Sequence, residues 1–301
     1  MVQLGYACIN TELSAQGITT NRSMIKRTFQ ERGLPYASEL ALANARDLVE
    51  IIKWNHKNGI NVFRMSSEMF PWMSEYEFKD LPDYQRISNV LSGAGKLAKS
   101  YGQRLSFHPG PFNVLASPNP DVVTKTIKEL RQHAEVMDML GLPQSNMAKI
   151  NIHVGGAYGD KPGTLSRFCK NFDLLPDNVK SRLVIENDDK PNLYSVKDLV
   201  EGIHNVIGIP INFDYLHHSF NTGGLSTEQA AKLAYSTWPC KPCFHYSESR
   251  QLFEDSGAKP QAHTDWYYGT IETFGLDVDI MCEVKMKEAA VLKYLEKPIF
   301  S

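Results

Sequence analysis

Short apolar, β-branched runs alternate with longer segments of helical period along the whole chain. The runs are VQLGYACI near residue 2, INVFRMS near 60, RLSFH near 104 and KINIHV near 149. Four more follow: RLVIEN near 182, IPINFDY near 209, CFHYS near 243 and VDIMCEV near 278. Between them the pattern predicts helices over 39–59, 119–141 and 195–206, and a further one opening at Ser226 or Thr227. The 119–141 segment opens on Asn119-Pro120 and stops at Gly141, as capping chemistry requires. Eight strand–helix units in 301 residues, about 38 residues each, match the arithmetic of a (β/α)8 TIM barrel, an α/β fold. An open doubly wound sheet is the competitor. It usually carries a Gly-rich turn after its first strand, and the stretch CINTELS contains no G-x-G-x-x-G. No Pro/Ser/Gly-rich linker divides the chain, so residues 1–301 are expected to form one domain.

Composition removes several function classes. Lys+Arg total 32 against 34 Asp+Glu, a net charge of -2, so no global basic field advertises nucleic acid. No window approaches 18 consecutive apolar residues, which excludes a spanning helix. The opening MVQLGYACINTELS lacks the pattern of a secretory signal. Five cysteines (Cys8, Cys169, Cys240, Cys243 and Cys282) form an odd, widely spaced set, unlike a disulfide framework. An intracellular, reducing location in cytoplasm or nucleoid is therefore expected, with no membrane and no protein partner indicated. Cys240 and Cys243 make a lone C-x-x-C, and a zinc knuckle would need a second pair.

The chemistry sits at the strand ends. Strand three ends in His108, strand four in His153, strand five in Glu186, and strand six in Asp214 with His217 beyond it. Strand seven ends in His245, the next loop holds His263 and Asp265, and strand eight ends in Glu283. From His108 to Glu283 the mean step is about 35 residues, one βα unit, so these side chains should converge on the face that carries barrel active sites. A single His at a strand end is ordinarily a hydrogen-bonded structural residue. Five imidazoles and three carboxylates together would destabilise a dry core but suit metal. Imidazole and carboxylate without thiolate favour Zn2+, Mn2+ or Fe2+. Eight ligand groups exceed one tetrahedral shell, so two or three ions sharing a carboxylate is the simplest inference, with Glu186 the natural bridge. Two ions about 3.5–4 Å apart clamp the attacking and leaving oxygens of a displacement, which is phosphodiester hydrolysis chemistry.

At these residues the chain resembles the ultraviolet damage endonucleases, metal-dependent DNA repair enzymes related in fold to endonuclease IV. The resemblance is carried by GYACIN (5–10), FRMSSEMFPWMS (63–74), LSFHPGPF (105–112), NIHVGGAYGDK (151–161), LVIENDD (183–189), FDYLHH (213–218), HTDWY (263–267) and MCEVKMKE (281–288). It implies a barrel holding up to three divalent ions, usually manganese, with zinc as the other candidate. It also implies damaged double-stranded DNA as substrate, nicked immediately 5′ of the lesion to leave a 3′-hydroxyl. Carried over by motif, His108, His153 and Glu186 would hold a first ion, and Glu186, Asp214, His245 and Glu283 a second. His217 and His263 would contribute to a third, with Asp265 a neighbour. Glu186 and Lys285 are the implied catalytic residues, Lys285 reaching a phosphate. Tyr6 and Asn10 match residues lining the family's damage-recognition groove.

Two departures from the family pattern stand out. After HPG the family usually has Gln-Tyr, a pair that probes damaged DNA, where this chain has Pro111 and Phe112. Phe112 can still wedge between bases, whereas Pro111 lacks the amide that would hydrogen-bond an orphaned one. Some members also carry a modified lysine two residues before the strand-seven His. Cys243 stands there, with Lys241 two further back. DNA contacts are expected from a basic loop, NRSMIKRTFQERG (21–33), with Arg22, Lys26, Arg27 and Arg32. Stacking is expected from Tyr6, Trp72, Phe112, Tyr158 and Trp266. An abasic-site endonuclease, a metal-dependent sugar isomerase or epimerase, and a non-catalytic damage binder are the alternatives.

Overall fold

The computed structural model describes residues 2–296. Eight short parallel strands fall inside the eight predicted runs: β1 Leu4–Ala7, β2 Val62–Arg64, β3 Arg104–Ser106, β4 Ile150–Ile152, β5 Leu183–Glu186, β6 Ile211–Asn212, β7 Cys243–Tyr246 and β8 Asp279–Cys282. They form two arcs, β3-β2-β1-β8-β7 and β4-β5-β6. β8, the last strand, lies between β1 and β7, with Gly5 opposite Met281 and His245 also opposite Met281. The arcs meet through single bridges. Phe107 N–H donates to the Lys149 carbonyl at 3.0 Å, and His245 N–H donates to the Phe213 carbonyl at 2.8 Å.

Strand alternation sorts the side chains into two environments. Leu4, Tyr6, Phe63, Phe244 and Ile280 point outward into the main apolar core, shared with the helices. Ala7, Val62, Cys243 and Met281 form a separate small cluster on the opposite face of the strands. Gly5 belongs to the inner row, where a Cβ would fall 2.1 Å from the Val62 carbonyl oxygen. At the strand starts, buried Arg104 pairs with Asp279 at 3.1 Å and donates to the Lys241 carbonyl at 2.9 Å. That pair occupies the end of the strands opposite the strand-end carboxylates and imidazoles. A second buried guanidinium, Arg182, donates to the carbonyls of Leu142 at 2.9 Å and Pro143 at 3.1 Å and meets Asp138 at 2.8 Å.

The helices follow their caps. Pro120–Met139 begins where the Asn119 side chain accepts from Asp121 N–H, and Gly141 leaves it at φ 67°. Thr227–Tyr235 opens on a reciprocal Ser226–Gln229 capping box. The predicted 195–206 helix contains a π-turn at Val200–His204. The predicted 39–59 helix is longer, running over Lys26–Lys57 with a break at Gly33, φ 59°. The basic segment 21–33 is therefore mostly helix rather than loop. Its arginines are engaged: Arg22 with Asp47 at 2.6 Å, Arg27 with Glu31 at 2.8 Å and Arg32 with Glu39 at 3.8 Å.

Candidate metal centre

Glu186 is the last residue of β5, and its side chain is buried at the C-terminal end of the strands. Its carboxylate accepts from the amides of Asn212, at 3.0 Å, and Asn151. Four imidazoles surround it. From Glu186 oxygens, His245 Nδ1 lies 2.9 Å away, His217 Nδ1 3.4 Å, His108 Nε2 3.5 Å and His153 Nε2 3.8 Å. Glu283, beyond β8, stands 3.2 Å from His245 Nδ1 and is paired with Arg64 from the end of β2. Asp214 caps the helix Tyr215–Phe220, accepting from His217 N–H at 2.8 Å, which fixes both side chains beside β6. His217 Nδ1 is anchored by the Asn187 carbonyl at 2.9 Å, and His153 Nδ1 lies 3.0 Å from Asp188.

Three groups of potential ligands converge here: His108 with Glu186 and His245, His153 with Glu186 and His217, and Asp214 with His245 and Glu283. Seven of the eight sequence-predicted ligands are thereby brought together; Asp214, His245 and Glu283 stand together as in the expected second set, whereas His108 and His153 fall in separate groups that share Glu186. His263 belongs to none of these groups, its Nδ1 being 2.7 Å from the Glu283 carbonyl. Cys243 is buried but likewise outside them.

The electrostatics are those of a site built around positive charge. Burial would raise the Glu186 carboxyl, but His245 and His153 beside it hold it well below the usual carboxylate range. Burial pushes Asp214 up to about 6, against the pull of His217. Burial lowers His217, yet the carboxylates of Asp214 and Glu186 outweigh it and raise the imidazole to about 10. His245 falls to about 4 and His108 is also lowered, burial being the main cause in each. The donor set fits a divalent ion on one specific observation. Asp214 Oδ2 and His245 Nδ1, both buried and both in the Asp214–His245–Glu283 group, lack any aligned hydrogen-bond partner. Orphaned buried acceptors of this kind are rare, and a cation would satisfy both.

Other sequence-predicted residues are placed differently. Tyr6 is 0% exposed, its hydroxyl donating to Asn55 at 2.7 Å and accepting from Asn10 at 2.9 Å. Asn10 is also buried, accepting from Leu13 N–H at the start of a short helix. Both therefore sit in the packed layer behind β1 rather than on an open surface. Lys285 is 49% exposed and 3.9 Å from Asp265, and Asp265 lies 3.6 Å from Arg250. Both are engaged at the surface and stand in none of the ligand groups. Trp72 is half-buried, its indole donating to the Met24 carbonyl at 2.8 Å, and Lys293 covers Trp266 at 4.4 Å. Phe112 is 88% exposed and offers an open face for stacking, whereas Tyr158, 50% exposed, has Arg167 over its ring at 5.7 Å.

Pro111 borders two adjacent cavities. One, of about 200 Å³, contains His153, Asp188 and Lys190. The other, of about 380 Å³, lies beside Phe112, Lys125 and Glu129. The sequence argument missed Arg64, Lys149, Asn151 and Asn212. Three of them were detectable as inward-facing partners, two or four residues from a predicted ligand on the same strand: Lys149 and Asn151 before His153, and Asn212 before Asp214.

The family resemblance can now be tested directly. A protein of Acanthamoeba polyphaga mimivirus is 33% identical over 305 residues, covering 97% of this chain and 90% of the relative. The UV-damage endonuclease of Schizosaccharomyces pombe is 35% identical over 97% of this chain, which spans only 50% of that relative. The crystal structure of SacUVDE superposes with a TM-score of 0.86 at 34% identity, covering 98% of this chain and 97% of that one. Endonuclease IV from Thermus thermophilus, at 13% identity and a TM-score of 0.55 over 82% of this chain and 92% of its own, shares the fold alone. With the family model UV-endonuclease UvdE matching residues 2–299, the chain belongs to that family.

Proposed function

We propose that this chain is a metal-dependent DNA repair endonuclease that hydrolyses the phosphodiester immediately 5′ of UV photoproducts and related lesions. The supporting observation is the Glu186 carboxylate, shared by two ligand groups and adjoining a third that holds orphaned Asp214 and His245 atoms. In this reading the two arcs of strands close through the Phe107–Ile150 and Asp214–His245 bridges into one (β/α)8 barrel domain. Mn2+ is the proposed ion, with Zn2+ the alternative, in two or three copies, because the donors are imidazole and carboxylate without thiolate. When bound, such ions supply a clamp on the attacking and leaving oxygens and a lowered pKa for attacking water.

The chain's own residues do the rest. Asn151 and Asn212 hold the Glu186 carboxylate at the centre, and Asp188 orients His153. Arg64, largely buried at the end of β2, pairs with Glu283 and offsets one of the carboxylates of the cluster. Phe112 projects from the rim as an apolar wedge for a damaged, poorly stacked step. Damaged duplex DNA is thus the proposed partner and an intracellular compartment the proposed location. No described helix is long and apolar enough to cross a membrane.

The test is nicking of supercoiled plasmid, irradiated or not, with Mn2+ or with EDTA. Nicking confined to irradiated plasmid and abolished by EDTA is the expected result. Nicking of depurinated plasmid alone would move the assignment to abasic-site cleavage. No nicking together with aldose turnover would move it to a sugar isomerase or epimerase.

A further inference from the structure

One buried amine, that of Lys149, touches a candidate ligand without belonging to any of the ligand groups. Lys149 precedes β4, and alternation turns it inward with Asn151 and His153. It is fully buried. Burying an amine is costly unless its hydrogen-bonding positions are used. Here Nζ lies 2.6 Å from the Cys243 carbonyl, 2.7 Å from Asn212 Oδ1 and 3.0 Å from His245 Nε2. In the state that offers Nδ1 to an ion the amine is neutral and uses all three positions, donating to the Cys243 carbonyl and Asn212 Oδ1 and accepting from His245 Nε2–H, and none of the three partners is a carboxylate. Two of the partners are held by other structure. The Cys243 carbonyl belongs to β7, and the Asn212 amide also donates to Glu186 at 3.0 Å. The third is an imidazole that could otherwise rotate. Its opposite nitrogen, Nδ1, faces Glu186 at 2.9 Å and Glu283 at 3.2 Å. Turning the ring over would set a carbon against Lys149 and another against the carboxylates.

We propose that Lys149 is a positioning residue: by clamping His245 Nε2 from across the ring, it keeps Nδ1 aimed at Glu186 and Glu283. The proposal rests on the metal-dependent reading above, because Nδ1 is the atom that this geometry offers to an ion. The second nitrogen of a ligating His is usually held by a carboxylate, a backbone carbonyl or water, and loss of that partner weakens metal binding about 10- to 100-fold. A lysine in that place is unusual, and it comes from β4, whereas the His is on β7. A side chain that merely filled space would be replaced by methionine with little consequence for ion binding.

The experiment uses the whole chain, wild type and Lys149→Met, with Mn2+ binding followed by electron paramagnetic resonance and 15N shifts of the His245 ring recorded without ions. We expect the variant to lose about 10- to 100-fold in affinity for ions that use His245, with binding at His153–Glu186–His217 retained. We also expect one hydrogen-bonded ring state of His245 in the wild type and a mixture in the variant. A folded variant with unchanged Mn2+ affinity overturns the positioning role. If the variant fails to fold, the wild-type spectrum decides: a His245 Nε2 free of any hydrogen bond overturns the role, and a bonded one supports it. Wild-type protein that binds no Mn2+ overturns the metal-dependent reading and this proposal together. Equal binding by both proteins overturns the positioning role alone.

Discussion

Ion affinity should depend steeply on pH because two ligands carry protons that an ion must displace. His217 is raised to about 10 against its burial by the Asp214 and Glu186 carboxylates, so at neutral pH the ion-free protein holds a proton there. A ligating imidazole must be neutral, so binding releases that proton. At pH 7 the gap is three pKa units, about 4 kcal/mol or a factor of about 1,000 in affinity relative to pH 10. The sign follows from a raised pKa: affinity falls as pH falls, about tenfold per unit between 10 and 6. Asp214, raised to about 6 mainly by burial, adds a second proton below that value, and the slope then approaches a hundredfold per unit. Calorimetric titration with Mn2+ in buffers of different ionisation enthalpy counts the released protons directly. About one proton is expected near pH 7.5. Affinity constant from pH 6.5 to 8.5, with no proton released, would refute this account of His217.

Glu186→Gln should abolish Mn2+ binding at both groups that share the carboxylate and reduce nicking at least about a hundredfold; an active variant would sink its central role. Arg182→Met should cost about 3 kcal/mol in urea unfolding, because the carbonyls of Ala134, Leu142 and Pro143 lose a buried donor; a loss under about 1 kcal/mol would mean that water replaces it. Phe112→Ala, at an 88% exposed position, should leave stability within about 0.5 kcal/mol. It should nevertheless weaken binding of irradiated duplex by about 1–3 kcal/mol in fluorescence anisotropy with EDTA present, and equal affinities would remove Phe112 from lesion contact.

The strands were legible because a fully buried parallel strand is written as a short apolar run, and the caps at Asn119 and Ser226 because side-chain oxygens must satisfy free N–H groups. The long helix starts at Lys26, thirteen residues before the predicted start at 39, because it passes through a kink at Gly33. Ligand convergence was legible from spacing, and the Asp214–His245–Glu283 group matches an expected set; the separation of His108 from His153 was not legible, because it depends on ring orientation and strand tilt. The burial of Tyr6 follows from a one-residue parity: Gly5 and Ala7 hold one face of β1, so the residue between them faces the helices. Arg64 stood at a strand end all along, but a search for ion-binding groups passes over a cation. Lys149 shares the parity of Asn151 and His153, and that regularity would have placed it inside.

The insertion of β8 between β1 and β7 has a consequence for the history of the molecule. The strands that flank this seam are the first and seventh in the sequence, and β8 itself carries the chain directly into Glu283. Any N-terminal fragment ending before β8 lacks both the wedge that joins these strands and one carboxylate of the Asp214–His245–Glu283 group. The centre is therefore a late product of folding, assembled from contacts of high sequence separation, which form slowly. The weak joint lies next to that seam, between β6 and β7, where the single Asp214–His245 bridge joins the two arcs, and it is the natural place for partial opening. An ion held by Asp214 and His245 would span that joint, so amide exchange in β6 and β7 should slow markedly once Mn2+ is added.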